Sequence, residues 1–143
     1  MTAVAHTERD HIYEIVRAGG GRLTVPMRVV VAVLLDTDRH LTADDLIAEV
    51  DRRTPGIAPS TIYRILQRLD ELEVIRHVHS GTGPTFYHLR ERGHAHLICN
   101  ECGTIVDVPD RLFTGLARTV HDKYGFTIEP QHAALLGRCA RCA

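Results

Sequence analysis

The cysteines of this chain form two C-x-x-C pairs, and this spacing constrains the fold more than any other feature. The chain contains four cysteines, Cys99 and Cys102 in the first pair and Cys139 and Cys142 in the second. A C-x-x-C turn lets two thiolates bind one ion, and two such turns complete a closed tetrahedral zinc site. Two disulfides or a thioredoxin-like redox pair are the alternatives. The sequence therefore predicts a structural zinc site that ties the end of the chain to the first pair.

Composition limits the class of protein. The 143 residues fit one compact domain or two small ones. Hydrophobic residues make up 44% of the chain, but aromatic residues contribute only 5%, so any core must be mostly aliphatic. No apolar run approaches the roughly 18 residues that a transmembrane helix needs, and there is no signal-like segment, so we expect a soluble, cytoplasmic protein. The net charge of -1 means that any DNA contact must come from a local patch.

The first half of the sequence has the pattern of four helices. A helix capped by Thr7 would run to about Arg17, and a buried helix would carry Pro26 in its first turn. Thr42 begins a third helix, because two acidic residues and an apolar stripe follow it. Ser60 can cap a fourth helix, in which apolar residues recur with a 3.6-residue period.

The period changes after the fourth helix. The segments Val74–Ser80 and Thr85–Leu89 have the pattern of strands, and they flank a turn at Gly81–Pro84. Short helices followed by a hairpin are the order of a winged helix-turn-helix domain. In that arrangement the fourth helix is the recognition helix and the hairpin is the wing.

A second, smaller module follows residues 91–93, which we interpret as a linker. Two strands, His96–Ile98 and Thr104–Val108, surround the first cysteine pair. A helix is predicted over Asp110–Lys123 and a last strand over Phe126–Leu136. The expected fold class is therefore α+β, with an N-terminal winged helix-turn-helix domain and a small α/β zinc-containing domain.

The predicted recognition helix presents polar groups of the kind that reach phosphates or base edges. Arg52 and Arg53 lie just upstream and make this region locally basic. A solvated amphipathic helix packed by its leucines is the alternative, but the wing-like hairpin that follows favours DNA binding. The polar side of the helix consists of Ser60, Thr61, Tyr63, Arg64, Gln67 and Arg68.

Ten histidines are unusually many for a chain of this length. His94 and His96 alternate, so on a strand both imidazoles point to one face, and His77 and His79 do the same on the predicted wing. Each pair taken alone could be a pair of surface residues. Imidazole with an occasional carboxylate suits zinc, nickel, iron or copper, so the two pairs together predict a second metal site. Further candidates at suggestive positions are His40, His88, Asp107 and His132.

Taken together, the motifs resemble the ferric uptake regulator family over nearly the whole chain. The stretches that carry the resemblance are Ser60–Arg64, His40–Leu46, His94–Gly103 and Gly137–Cys142. The resemblance implies a homodimer, with a DNA-binding domain at residues 1–90 and a dimerisation domain at residues 91–143. It also implies a repressor that binds AT-rich palindromic promoters when its sensing metal is bound.

The resemblance further implies which residues bind metal. The family's inter-domain regulatory site corresponds to His40, His88, His94, His96 and Asp107. Many relatives carry an acid or a cysteine at the position of His88, so histidine there shifts the site toward nitrogen ligands. The nickel-sensing branch has a further site, which corresponds here to His77, His79 and His132. Nickel is therefore the favoured regulatory ion, with iron or zinc next.

The resemblance also implies the DNA contacts. They fall on one residue of the second helix and on the polar side of the recognition helix, namely Arg28, Ser60, Thr61, Tyr63, Arg64 and Arg68. A peroxide-responsive, iron-dependent repressor of the same family is one alternative function. A zinc-ribbon interaction module that does not touch DNA is another. An enzyme is disfavoured, because a site closed by four thiolates has no free coordination position.

Overall fold

The chain divides into two compact units. One comprises Met1–His77 and Phe86–Glu91, and the other comprises Val78–Thr85 and Arg92–Ala143. The computed structural model describes residues 2–80, 83–90, 94–130 and 133–143. Within these ranges no helix is both long enough and apolar enough to cross a membrane. The predicted domain boundary at residues 90 and 91 stays a prediction.

The first unit is built on helices whose apolar faces meet in one aliphatic core. Val16, Val30 and Leu46 come from three different helices, and each is fully buried in this core. The fourth helix contributes Ile62, Ile65, Leu66 and Leu69, which share one face because they follow the helical period. The helices are α1 at Thr2–Ala18, α2 at Val25–Asp36, α3 at Ala43–Arg53 and α4 at Pro59–Glu71.

The start of α3 confirms the prediction from its sequence. The Asp45 amide donates to the Thr42 hydroxyl at 3.1 Å, and the Thr42 amide donates to the Asp45 carboxylate at 3.0 Å. This reciprocal pair is a capping box, which satisfies two amides that the helix itself leaves without acceptors.

We expect Thr42→Ala to lower the free energy of unfolding of the first unit by about 1 kcal/mol, because the Asp45 amide loses its acceptor. Urea unfolding followed by circular dichroism measures the change. Thr42→Ser is the matched control, since it keeps the capping oxygen and should stay close to the parent chain. Equal losses for both variants would assign the effect to the threonine methyl group and not to the cap.

Two predicted helix starts are wrong. Helix α1 begins at Thr2 and not at Thr7, because the intervening residues include good helix formers and no breaker. Helix α4 has Ala58 at its N-cap, with no side-chain cap, and Pro59 in its first turn. Proline fixes a helical φ and lacks the amide that would need an acceptor, so the helix starts one residue before Ser60.

A small three-stranded sheet completes this part of the chain. Its strands are β1 at Leu41–Thr42, β2 at Ile75–His79 and β3 at Thr85–Leu89, in the order β1–β3–β2. Leu41 pairs with Tyr87 in the antiparallel register of β1 and β3. Strand β1 is too short to produce a sequence pattern, and it was not predicted. Two residues of the predicted turn, Gly81 and Thr82, lie outside the described residues.

The second unit contains a mixed sheet and one α-helix. Strand β4 is antiparallel to β5 and parallel to β6, in the order β5–β4–β6. Phe113 is buried against Ala95 and Val108 in a small core. The elements are β4 at Ala95–Cys99, β5 at Ile105–Val108, a 3₁₀ turn at Asp110–Phe113, α5 at Thr114–Tyr124 and β6 at Ala134–Gly137.

Two boundaries in this unit differ from the prediction. The helix predicted from Asp110 opens with the 3₁₀ turn, and α5 ends at Tyr124, where Gly125 follows with a φ of 63° that suits a helix C-terminus. The last strand is much shorter than predicted. Its ladder with β4 runs only from the His96–Ala134 pair to the Cys99–Gly137 pair, and residues 125–129 have no regular structure.

Candidate metal centres and nucleic-acid interface

The four cysteines come together in the second unit. Cys99 ends β4, and its pairing with Gly137 brings the second C-x-x-C turn beside the first. All four Sγ atoms lie within 4.8 Å of one another. The Sγ atoms of Cys102 and Cys139 are 3.7 Å apart, and all four residues are free thiols. A disulfide needs an S–S distance of about 2.05 Å, so this geometry is not that of two disulfides.

This donor set fits a zinc ion. With Zn–S bonds of about 2.3 Å, neighbouring sulfur atoms of a tetrahedron lie roughly 3.8 Å apart. The Cys102–Cys139 separation of 3.7 Å matches that edge. Because all four positions are taken by thiolates, a zinc ion held here would be structural and would have no open position for catalysis.

The electrostatics of the cluster also suit a bound cation. Main-chain N–H groups of Cys102 and Cys139 lower the pKa of Cys99 to about 6, and the Thr104 hydroxyl lowers the pKa of Cys102. The pKa of Cys142 is raised, because the sulfurs of Cys139 and Cys102 disfavour a further negative charge. The site stabilises its first thiolates but resists the last one, and a bound dication removes that resistance.

One histidine pair lies at the start of β4. His96 is fully buried, and Asp107 lies opposite it in the antiparallel register of β4 and β5. The Asp107 Oδ1 atom lies 3.3 Å from His94 Nε2 and 3.7 Å from His96 Nε2. The two imidazole centroids are 4.9 Å apart. Two imidazoles and a carboxylate therefore converge within one unit, as expected for part of a transition-metal site.

A second histidine pair lies in the first unit. His40 directly precedes β1, and the β1–β3 pairing brings it beside His88, with ring centroids 5.1 Å apart. The His88 ring is 6% exposed, and its Nδ1 atom lies 3.0 Å from the main-chain oxygen of Leu89. A carbonyl oxygen can only accept, so Nδ1 carries the proton and Nε2 of the neutral ring carries the lone pair. This is the tautomer that a metal ligand needs.

The predicted nickel-type site is described only in part. His77 and His79 lie on β2, and His132 lies outside the described residues. His77 Nδ1 lies 3.0 Å from Asp70 Oδ1, and His79 Nδ1 lies 2.9 Å from the Thr85 hydroxyl. No sequence pattern pointed to Asp70 or Thr85, because these contacts depend on how the strands meet α4 and each other. The three-histidine site stays a prediction.

The polar side of α4 provides the candidate DNA interface. Tyr63 is 48% exposed, and Ser60 and Arg64 are also exposed, whereas Thr61 is half-buried. Arg64 donates through Nε to the Ser60 carbonyl at 3.3 Å. These side chains reach solvent from a helix held rigidly by its buried face, as a major-groove reader requires.

Two other predicted DNA contacts already have intramolecular roles. Arg68 donates to the main-chain oxygen of Gly19 and also lies 3.3 Å from the Glu71 carboxylate. Arg28 donates to the Leu23 carbonyl at 3.3 Å, and its guanidinium stacks 5.3 Å from the centroid of the Tyr13 ring. Both remain partly solvent-accessible. Their contacts fix where each guanidinium lies before any DNA is present.

The basic patch expected upstream of α4 is weaker than its sequence indicates. Arg52 lies 2.5 Å from Glu49, and Arg53 contacts both Glu49 and Asp36. Hydrogen bonds from Arg52 and then Arg53 lower the pKa of Glu49 to about 2. Acidic partners thus offset both arginines. Asp36 is distant in sequence, so only the fold reveals this neutralisation.

Comparison with known proteins agrees with the fold and the motifs. The profile of the ferric uptake regulator family matches residues 18–135. The ferric uptake regulation protein of Bacillus subtilis is 31% identical over 138 residues, which cover 93% of each chain. The zinc uptake regulation protein of Mycobacterium tuberculosis is 32% identical over 127 residues, which cover 87% of this chain and 97% of the relative.

A solved structure shows the same fold. The ferric uptake regulator of Helicobacter pylori superposes with a TM-score of 0.82 at 20% identity, covering 96% of this chain and 93% of that one. Relatives of this kind are transcriptional regulators and not enzymes. The matched region includes α2, the recognition helix, the histidine pairs and the first cysteine pair. The chain belongs to the ferric uptake regulator family.

Proposed function

We propose that this chain is a metal-responsive transcriptional repressor that binds palindromic promoter DNA as a homodimer. The regulatory ion is a divalent metal bound by His40, His88, His94, His96 and Asp107. The observation that carries the proposal is the pair of prearranged donor sets. His88 presents a lone pair on a buried Nε2 atom, and Asp107 lies beside two histidines on β4.

The cysteine cluster has a separate role in this proposal. Zinc bound to four thiolates has no open coordination position. It would hold β4, the two C-x-x-C turns and β6 together and would not respond to changes in the cell's metal supply. Strand β4 runs from the regulatory histidines to Cys99. The zinc would therefore support the strand that carries His96 and follows His94.

The regulatory donor set is rich in nitrogen, which favours nickel first and iron or zinc next. The wing histidines His77 and His79, with His132, would form the additional nickel-type site. Two similar relatives are named for iron and for zinc, and these ions are the main competitors. Comparing nickel, iron, zinc and manganese in one binding assay decides among them.

The second unit offers a surface suited to a homodimer. Leu97 is paired with Val106 on one side and Leu135 on the other, so the three side chains share one face of the sheet. All three are well exposed in the single chain, as are Leu116 and Tyr124 of the neighbouring helix. Covering this apolar surface with a second copy would remove it from water. A cytoplasmic dimer of this kind would meet its DNA directly.

We expect the affinity for DNA to rise at least about tenfold when the regulatory metal is added and to fall steeply with salt, because phosphate contacts release counterions. Sequences selected from a random pool in the presence of each metal would supply the operator. Fluorescence anisotropy with this operator, with chelated and metal-loaded protein, then gives the affinities. Sedimentation gives the oligomeric state in the same buffers.

Arg64→Ala tests the proposed DNA contact. The residue is exposed and donates to the Ser60 carbonyl within the same helix, so its removal should leave the fold intact. The variant should weaken binding to the selected operator by about tenfold while leaving metal content unchanged. Equal affinity with chelator and with every metal would contradict metal sensing. Failure to select any sequence would favour the zinc-ribbon interaction module.

A further inference from the structure

A side-chain contact joins the recognition helix to the wing. Asp70 lies in the last turn of α4, and His77 lies in the middle of β2. The Asp70 Oδ1 and His77 Nδ1 atoms are 3.0 Å apart, and both side chains are partly exposed. A carboxylate that accepts from an imidazole N–H forms one of the stronger hydrogen bonds available to side chains.

A tight turn connects α4 to β2 between these two residues. Helix α4 ends at Glu71, and Glu73 adopts a left-handed φ of 57°, which is uncommon for a residue with a side chain. The turn is closed by the Val74 amide, which donates to the Leu69 carbonyl at 2.9 Å. Beyond this turn, Asp70 and His77 add a polar contact between α4 and β2, whose residues Leu69 and Ile75 also belong to one apolar core.

The contact lies close to the side chains that face DNA in the proposed function. Asp70 is seven residues after Tyr63, so the two lie on the same side of α4, two turns apart. Burial raises the pKa of Tyr87 on β3, and the charges of Tyr63 and Asp70 act in the same direction. The side of α4 that carries Tyr63 thus contacts β2 through Asp70.

We infer that Asp70 is a positioning residue that holds the base of the wing, at His77 on β2, against the recognition helix. The inference rests on the proposed function, since it names the element that sets how α4 and the wing meet DNA together. When Nδ1 donates to Asp70, the lone pair of the neutral His77 ring lies on Nε2. A metal bound at Nε2 would then be linked to α4 through the carboxylate, as outer-shell partners orient metal ligands.

Hydrogen exchange of the DNA-free dimer tests the contact directly. In Asp70→Ala, amides of β2 should exchange about tenfold faster, because the strand loses its polar contact with α4. Asp70→Asn keeps an acceptor oxygen and should stay within about threefold of the parent chain. Glu71→Ala removes the neighbouring carboxylate, which contacts Gln67 and Arg68 and not the wing, so β2 should be unchanged.

DNA binding tests the positioning role. With the regulatory metal saturating, Asp70→Ala and His77→Ala should each weaken operator binding by about tenfold, and the double variant should be no weaker than either single variant. Hydroxyl-radical footprints should lose protection where the wing lies and keep it where α4 lies. Asp70→Asn should restore both the affinity and the footprint, which a purely structural loss of stability would not do.

The outcomes separate this inference from the proposed function. If the parent chain binds no DNA with any metal, the proposed function is wrong, and the exchange rates of β2 still decide whether Asp70 holds β2 through His77. Unchanged exchange in Asp70→Ala would overturn this positioning role even if DNA binding is intact. Additive losses in the double variant, or an Asp70→Asn variant as weak as Asp70→Ala, would also overturn it.

Discussion

A Cys102→Ser variant is expected to lose its zinc and to unfold the second unit while the first unit keeps its structure. The effect is large because the second unit has little else to hold it together. Its buried apolar cluster contains only Ala95, Val108 and Phe113 among the described residues, whereas seventeen buried residues form the core of the first unit. Structural zinc contributes about 10–16 kcal/mol in small zinc-dependent folds, so removing one of four ligands costs several kcal/mol.

Zinc content by mass spectrometry and hydrogen exchange of each unit measure this result. We expect loss of stoichiometric zinc, exchange of the β4–β5–β6 amides at rates close to those of an unfolded chain, and unchanged protection of α2 and α4. Ala140→Ser is the matched control, because it places the same hydroxyl inside the second C-x-x-C turn without removing a ligand. A Cys102→Ser variant with full zinc content and parental protection would contradict the structural assignment.

The sequence predicted those elements whose signals are local. The start of α3 could be read from Thr42 and Asp45 because a capping box involves only neighbouring residues. The convergence of the four cysteines was also predictable, since two C-x-x-C pairs that share one ion must meet regardless of the path between them. Periodicity identified α4 because its buried face follows the helical repeat without interruption.

Features that depend on distant partners were not predictable. Strand β1 exists because Leu41 pairs with Tyr87, and two residues alone cannot show alternation. The ion pair between Arg53 and Asp36 joins two helices, and the bond from Arg68 to the Gly19 carbonyl joins α4 to the turn after α1. Because an acidic partner distant in sequence offsets Arg53, the proposed DNA interface is less basic than its sequence indicates.

The histidine pairs illustrate both cases. The alternation of His94 and His96 predicted two rings on one side of β4, and their centroids are 4.9 Å apart. The sequence did not reveal that Leu89 supplies the carbonyl that fixes the His88 tautomer, because any main-chain oxygen could do so. Candidate ligands are therefore easier to predict from sequence than the hydrogen bonds that orient their side chains.

His94→Ala is expected to abolish the response of DNA binding to metal while keeping the structural zinc. His94 is only partly buried and lies 3.3 Å from Asp107, so its removal takes away a proposed ligand and leaves the buried His96 ring in place. Losing a direct ligand should lower the affinity for the regulatory ion by more than the 10–100-fold that is typical when an outer-shell partner is lost. The affinity for operator DNA should then equal that of the chelated parent chain at every metal concentration that saturates the parent.

The measurement combines metal stoichiometry with anisotropy on the selected operator. Apart from any ion at the nickel-type site, the parent chain should hold one zinc and one regulatory ion, and His94→Ala should lose only the regulatory ion, because the cysteine cluster has its own ligands. His121→Ala is the matched control, since this exposed histidine lies near the end of α5, away from β4 in sequence. A His94→Ala variant that still responds to metal would exclude His94 as a ligand. Loss of both ions would mean instead that the substitution disrupts β4 and, through it, the cysteine cluster.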